Sequence, residues 1–182
     1  ISKKEKASYG FAAVGSYMVA GITQSYLMYF FTDILIIPSA FVMMLMIVAR
    51  AWDALNDPMM GVIVDRTSTK YGKMRPYVLI GSFLMLVTTI VLFMPLTGAP
   101  TMFKMIFAAV SYIIFGMAYT LTDVPAMGLM SVATPNSDER ASLLSFYVTV
   151  GSVGSLLPVG LLTIFQSFIP EKYVYFAMSI FV

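Results

Sequence analysis

Asp53, Asn56 and Asp57 stand at i, i+3 and i+4 inside a stretch that otherwise reads as apolar helix, and Asp123 interrupts a second such stretch. In a helix this spacing brings the first three to one face. A charge near the centre of a bilayer costs about 2.5–3.5 kcal/mol even on lenient scales, so such residues turn to a polar cavity and act there. Two carboxylates and an amide form an oxygen-rich site suited to a hard monovalent cation, so Na⁺ is a possible ligand at Asp53 and Asp57. A proton shared between the carboxylates is the other option. Pro58 removes the hydrogen bond to the Ala54 carbonyl, predicts a kink and frees one more oxygen. The competing structural reading is an ion pair of Arg50 with Asp53 or Asp57 that holds helices together. It explains one carboxylate, not two with an amide.

The segment around Asp123 reads Tyr119-Thr120-Leu121-Thr122-Asp123-Val124-Pro125. Thr120 and Asp123 share a helix face, as do Tyr119 and Asp123. A carboxylate accepts hydrogen bonds from sugar hydroxyls, and an aromatic packs on a sugar ring. This set suits a polyol, or else an interhelical polar clamp. Farther along, Asp65 falls near a helix C-terminus, where the helix dipole disfavours an anion. It calls for a cationic partner, and Arg75 or Arg140 is expected to supply it as a gating latch, with Arg66 adjacent. The plain alternative is a basic loop with no moving part.

The elements that carry these residues follow from composition. The chain of 182 residues is 59% hydrophobic and 11% charged, with a mean hydropathy of +0.87. A spanning helix needs about 20 apolar residues. Such runs are expected near 9–36, 38–64, 77–96, 103–132 and 143–168, with a sixth starting near 173. This is an all-α membrane protein: five complete transmembrane helices plus the start of a sixth. With no Cys and no His, the chain has no disulfide, thiolate or imidazole chemistry, and no cofactor is expected beyond a coupling ion. No credible nucleophile–base pair appears, so an enzyme is not expected. The net charge of +2 carries no nucleic-acid footprint.

Basic residues sort to alternate ends of these runs. Lys3, Lys4, Lys6, Arg66, Lys70, Lys73, Arg75 and Arg140 lie on one side, and Lys104 and Lys172 on the other. The positive-inside rule then puts the N-terminus in the cytoplasm. Glycines recur in the first run (Gly10, Gly15, Gly21) and the fifth (Gly151, Gly154, Gly160), as close helix packing requires. The chain starts at Ile1 and stops at Val182 within an apolar run, which reads as a piece of a longer protein.

With these residues in view, the chain resembles the glycoside–pentoside–hexuronide:cation symporters of the major facilitator superfamily, the melibiose permease family. The resemblance rests on Asp53-Ala54-x-Asn56-Asp57-Pro58-x-Met60-Gly61, then Asp65-x-Thr67 and Gly72-Lys73-x-Arg75-Pro76, with Asp138-Glu139-Arg140 beyond. It implies that residues 1–182 are the N-terminal six-helix bundle of a twelve-helix transporter of the bacterial cytoplasmic membrane, facing a C-terminal bundle of its own. It assigns Asp53, Asn56, Asp57 and Thr120 to a cation site and Asp123 to an acidic sugar-binding position. Two positions depart from the family pattern. Tyr17 stands where helix one carries a sugar-binding Asp, and Tyr147 stands where helix five usually carries an Arg. Both tyrosines, with Tyr119, are expected to line the cavity beside Asp123. The implied activity is Na⁺- or H⁺-coupled symport of a glycoside or other small sugar-like solute. The alternative is a solute sensor that keeps the fold without transporting.

Overall fold

The computed structural model describes residues 3–70 and 72–182; Tyr71 of the basic loop lies outside the described residues. Among the described residues six α-helices follow one another: α1 (Lys3–Tyr29), α2 (Ser39–Arg66), α3 (Arg75–Leu92), α4 (Thr101–Val132), α5 (Ser137–Gln166) and α6 (Glu171–Phe181). No strand occurs among the described residues. The chain is an all-α membrane protein. Helices α2 to α5 are each long and apolar enough to cross a bilayer. α1 has the length, 27 residues, but falls short in hydropathy because Lys4, Glu5, Lys6 and a run of Ser, Thr, Gln and Tyr positions dilute it.

Proline starts three of the helices. Pro38, Pro100 and Pro170 stand at the N-caps of α2, α4 and α6, where a fixed φ costs nothing and a missing N–H leaves no bond unmade. α5 is capped by Asn136, whose side chain accepts from the Asp138 N–H at 2.9 Å. The interior prolines Pro58 and Pro125 leave α2 and α4 continuous. The Leu121 carbonyl freed by Pro125 is not turned into a cavity: Gly81 of α3 lies close against the Leu121–Thr122 backbone.

α1 ends in a wide turn, Phe30–Ile34, with a Leu35 N–H to Phe30 carbonyl bond of 2.9 Å. Ile36 follows in the left-handed region, φ 57°. Lys104 is only 6% exposed; its ammonium donates to the Leu35 carbonyl at 2.6 Å and ties α4 to this corner. Around it Phe30, Phe31, Phe93 and Tyr175 form an aromatic core at one end of the bundle.

Two helix pairs run parallel. α1 lies along α5, with Tyr17 over Gly151 and Gly21 over Ser155. α2 lies along α4, with Asp53 beside Gly116 and Asp57 bonded to Thr120. α3 packs antiparallel on α4, and α6 closes against α5 and α3.

Candidate functional site

A cavity of about 180 Å³ opens between α1, α2 and α4, midway along the bundle. α2 contributes Arg50, Trp52, Asp53 and Asp57, α4 contributes Tyr112, Gly116, Tyr119, Thr120 and Asp123, and α1 contributes Thr23 and Gln24. Three carboxylates predicted to act together therefore share one wall. Asp53, Asp57 and Asp123 interact electrostatically along it, Asp53 with Asp57 and Asp57 with Asp123.

The geometry is set from both helices. Thr120 is 4% exposed, and its hydroxyl donates to Asp57 Oδ1 at 2.9 Å. This fixes the Asp57 carboxylate at the α2–α4 seam. At Gly116, a Cβ would stand 3.2 Å from Asp53 Oδ1, so the missing side chain is the space that this carboxylate occupies. Arg50 Nη1 lies 3.8 Å from Asp53 Oδ2, but both residues belong to α2 and the Arg50 side chain is 71% exposed. A loose pair within one helix cannot hold two helices together. It contributes well under about 1 kcal/mol. The ion-pair reading thus does not account for the carboxylates.

Asn56 departs from the expected grouping. It is 4% exposed, with its amide Nδ2 buried and unpartnered, and it does not line the cavity. Successive helical residues are rotated by about 100°, so Asn56 and Asp57 diverge although each is close in angle to Asp53. Asn56 continues the buried stripe of Val42, Leu45 and Ala49. The oxygens that do converge are those of Asp53, Asp57 and Thr120. Among the described residues no three His, Cys, Asp or Glu side chains are grouped as for a multivalent metal. Two carboxylates and a hydroxyl fit a monovalent ion or a proton.

Tyr119 and Asp123 are on the cavity wall together, as their spacing predicted. Tyr17 and Tyr147 are not on it. Their rings meet edge to face at 6.0 Å in the α1–α5 seam, and Tyr17 lies flat against Gly151. Tyr147 is 1% exposed even with one bundle alone. A second bundle can only bury it further, so it is no direct solute contact in this conformation. Both phenols remain electrostatic neighbours of Asp123. Sequence reasoning missed Tyr112, Gly116, Trp52 and Gln24. Stepping back from Asp123 by one helical turn at a time gives 119/120, 116 and 112, a signal that was open to reading.

The expected latch is also arranged differently. The Asp65 carboxylate makes no ion pair among the described residues. Arg140 donates to the Ser131 carbonyl at 3.2 Å and so caps the end of α4. Arg75 faces a groove with Tyr9 of α1 and Leu129 of α4. Lys73 instead bonds the Asp65 backbone carbonyl at 3.2 Å, satisfying the end of α2. Arg66 is exposed at that end.

Residues 8–182 match the family model described as MFS/sugar transport protein. The chain belongs to that family. It is 35% identical over 161 residues to the inner membrane symporter YicJ of Escherichia coli K12, covering 86% of this chain and 34% of the relative. It is 33% identical over 162 residues to the putative glycoside/cation symporter YagG of the same strain, 88% of the chain and 35% of that protein. It is 30% identical over 153 residues to the isoprimeverose transporter of Lactiplantibacillus pentosus, 84% of the chain and 32% of the transporter. The chain thus spans about a third of the length of these relatives, and the matches agree with the resemblance to the melibiose permease family.

Proposed function

We propose that this chain is the N-terminal half of a cation-coupled symporter for a glycoside or similar small sugar-like solute. The observation that carries the reading is the shared wall: Asp57 held by Thr120, Asp53 seated on Gly116 and Asp123 facing the same cavity. The cation is Na⁺ or H⁺, taken by Asp53 and Asp57 with Thr120 as a third oxygen. The solute binds through hydroxyls donated to Asp123 and ring packing on Tyr119. Both ligands favour the closed state of the same cavity, so each improves the binding of the other, and the coupling is reciprocal. With the carboxylates neutralised, a closed bundle pair buries less net charge. The cation thereby shifts the conformational balance by its differential affinity for the two states.

In this reading the protein sits in a bacterial cytoplasmic membrane, with the N-terminus and the loops bearing Arg66, Arg75 and Arg140 inside, as the basic end of the bundle supports. The partners are lipid, the cation, the solute and a C-terminal six-helix bundle. Asp65 pairs with Arg75 or Arg140 in another state of the cycle and serves as the latch.

The test is uptake by the full-length protein in proteoliposomes, over a panel of labelled glycosides, with and without an inward Na⁺ or H⁺ gradient. Uphill accumulation that vanishes without the gradient supports symport. Saturable solute binding with no gradient-driven accumulation overturns it and favours the sensor alternative.

A further inference from the structure

We infer that the inner end of α4, residues 126–132, turns on a hinge at Pro125, with Met74 as the compliant bearing it moves against. The inference rests on the symport reading above and adds to it the part of this half that moves within the bundle. The seam between α3 and α4 differs on the two sides of the proline.

Pro125 has no N–H, so the bond to the Leu121 carbonyl is missing and α4 is softened there while it stays continuous. On the outer side of this point the seam is rigid. A Cβ on Gly81 would stand 2.9 Å from the Leu121 carbonyl carbon and from the Thr122 nitrogen, so backbone meets backbone with nothing to give. The same turn carries Asp123, which therefore keeps its place on the cavity wall. On the inner side the seam is soft. A Cβ on Gly128 would stand 2.8 Å from Met74 Sδ and Cε, the far end of an unbranched, flexible side chain.

The Met74 backbone does not share that freedom. The Thr67 and Tyr77 hydroxyls meet at 2.6 Å, Thr69 donates to the Gly72 carbonyl at 2.6 Å, and Lys73 donates to the Asp65 carbonyl at 3.2 Å. The α2–α3 connection is braced around Met74, and the thioether is the part that yields. Towards α5, a groove of about 290 Å³ lined by Met127, Ser131, Arg140 and Leu144 leaves the end of α4 room to swing. Tyr119, Asp123 and Met127 follow at i, i+4 and i+8 on one face. A swing beyond Pro125 thus opens or narrows the inner side of the cavity without displacing Asp123.

The experiment measures distances between spin-label pairs in the full-length protein in lipid nanodiscs, without solute. Phe83, Ser131 and Met102 are exposed and accept the labels as Phe83→Cys, Ser131→Cys and Met102→Cys, with any other cysteine removed. The pair 83–131 spans the hinge and the pair 83–102 does not. The 83–131 distribution should be broad or split where the 83–102 distribution is narrow and single, and Pro125→Ala should narrow it. Equal widths, or an 83–131 distribution that Pro125→Ala leaves unchanged, overturn the hinge. Gly128→Ala should also narrow it, and Met74→Ala in the same protein should widen it again; failure of either overturns the bearing. Melting separates the two glycines: Gly81→Ala should lower the melting temperature clearly and Gly128→Ala should not, and the reverse order counts against a soft inner seam. In proteoliposomes, Gly128→Ala should slow gradient-driven glycoside uptake about fivefold at unchanged solute KM, and an unchanged rate overturns the role in transport. A parent protein with no gradient-driven uptake sinks the symport reading, while the label distances still decide the hinge and its bearing.

Discussion

The two parallel helix pairs solve the same packing problem in opposite ways. In the α1–α5 pair, glycine removes side chains so that backbones touch: Gly154 lies against Val14 Cα, Gly21 against the Ser155 carbonyl, and the remaining space is filled by Tyr17 and Tyr147. In the α2–α4 pair, glycine removes a side chain so that a charge fits: Gly116 makes room for the Asp53 carboxylate, and Thr120 bonds Asp57. One seam is closed. The other is left open as a polar cavity. The same residue type therefore marks close backbone packing in one place and room for a carboxylate in the other, and only its neighbour across the seam tells which.

Substitutions that separate stability from binding break or sharpen this contrast. The largest effect is expected at Gly154→Val, whose Cβ would stand 2.9 Å from Val14 Cα. Overpacking of this kind should cost about 3 kcal/mol, seen as a marked fall in the melting temperature of the full-length protein in detergent. A melting point within a degree or two of the parent would mean that the α1–α5 seam is looser than described. Thr120→Val comes next. It removes a charge-assisted bond to Asp57, which should cost about 1.5 kcal/mol and show as cation affinity roughly tenfold weaker. Gly116→Ala should behave differently from Gly154→Val. Its Cβ meets only the end of a carboxylate, so the melting temperature should barely move while the cation constant rises by about fivefold, in line with a contact displaced by a few tenths of an ångström. The smallest effect is expected at Tyr147→Phe. Loss of the hydroxyl beside Ser16 should cost about 1 kcal/mol of stability and leave solute affinity unchanged. A large loss of solute affinity would return Tyr147 to the binding wall.

The helices were legible in the chain because the bilayer imposes one rule, a long apolar run, and proline marks where α2, α4 and α6 begin. The convergence of Asp53, Asp57 and Asp123 was legible for a related reason: a carboxylate in such a run has few places to go except a polar cavity. Finer assignments depended on angles that spacing blurs. Asn56 and Asp57 are adjacent in sequence, yet one enters the buried stripe and the other the cavity. The side of α5 that Tyr147 occupies is set by Gly151 and Tyr17 across the seam, which no pattern within α5 reports. The Asp65 partner was predicted from local electrostatics alone. The helix end is served instead by Lys73, eight residues on, through the backbone carbonyl.

The central claim is that the α2–α4 carboxylates couple the cation to the solute. Asp57→Asn tests it most directly, because the amide keeps the shape, can still accept from Thr120 and loses only the charge. In proteoliposomes holding the full-length protein, cation-gradient-driven accumulation of a neutral glycoside should be abolished. Solute binding measured without the cation, and the melting temperature, should stay close to those of the parent, while added cation should no longer improve solute binding. Normal gradient-stimulated accumulation by the Asp57→Asn protein would contradict the account.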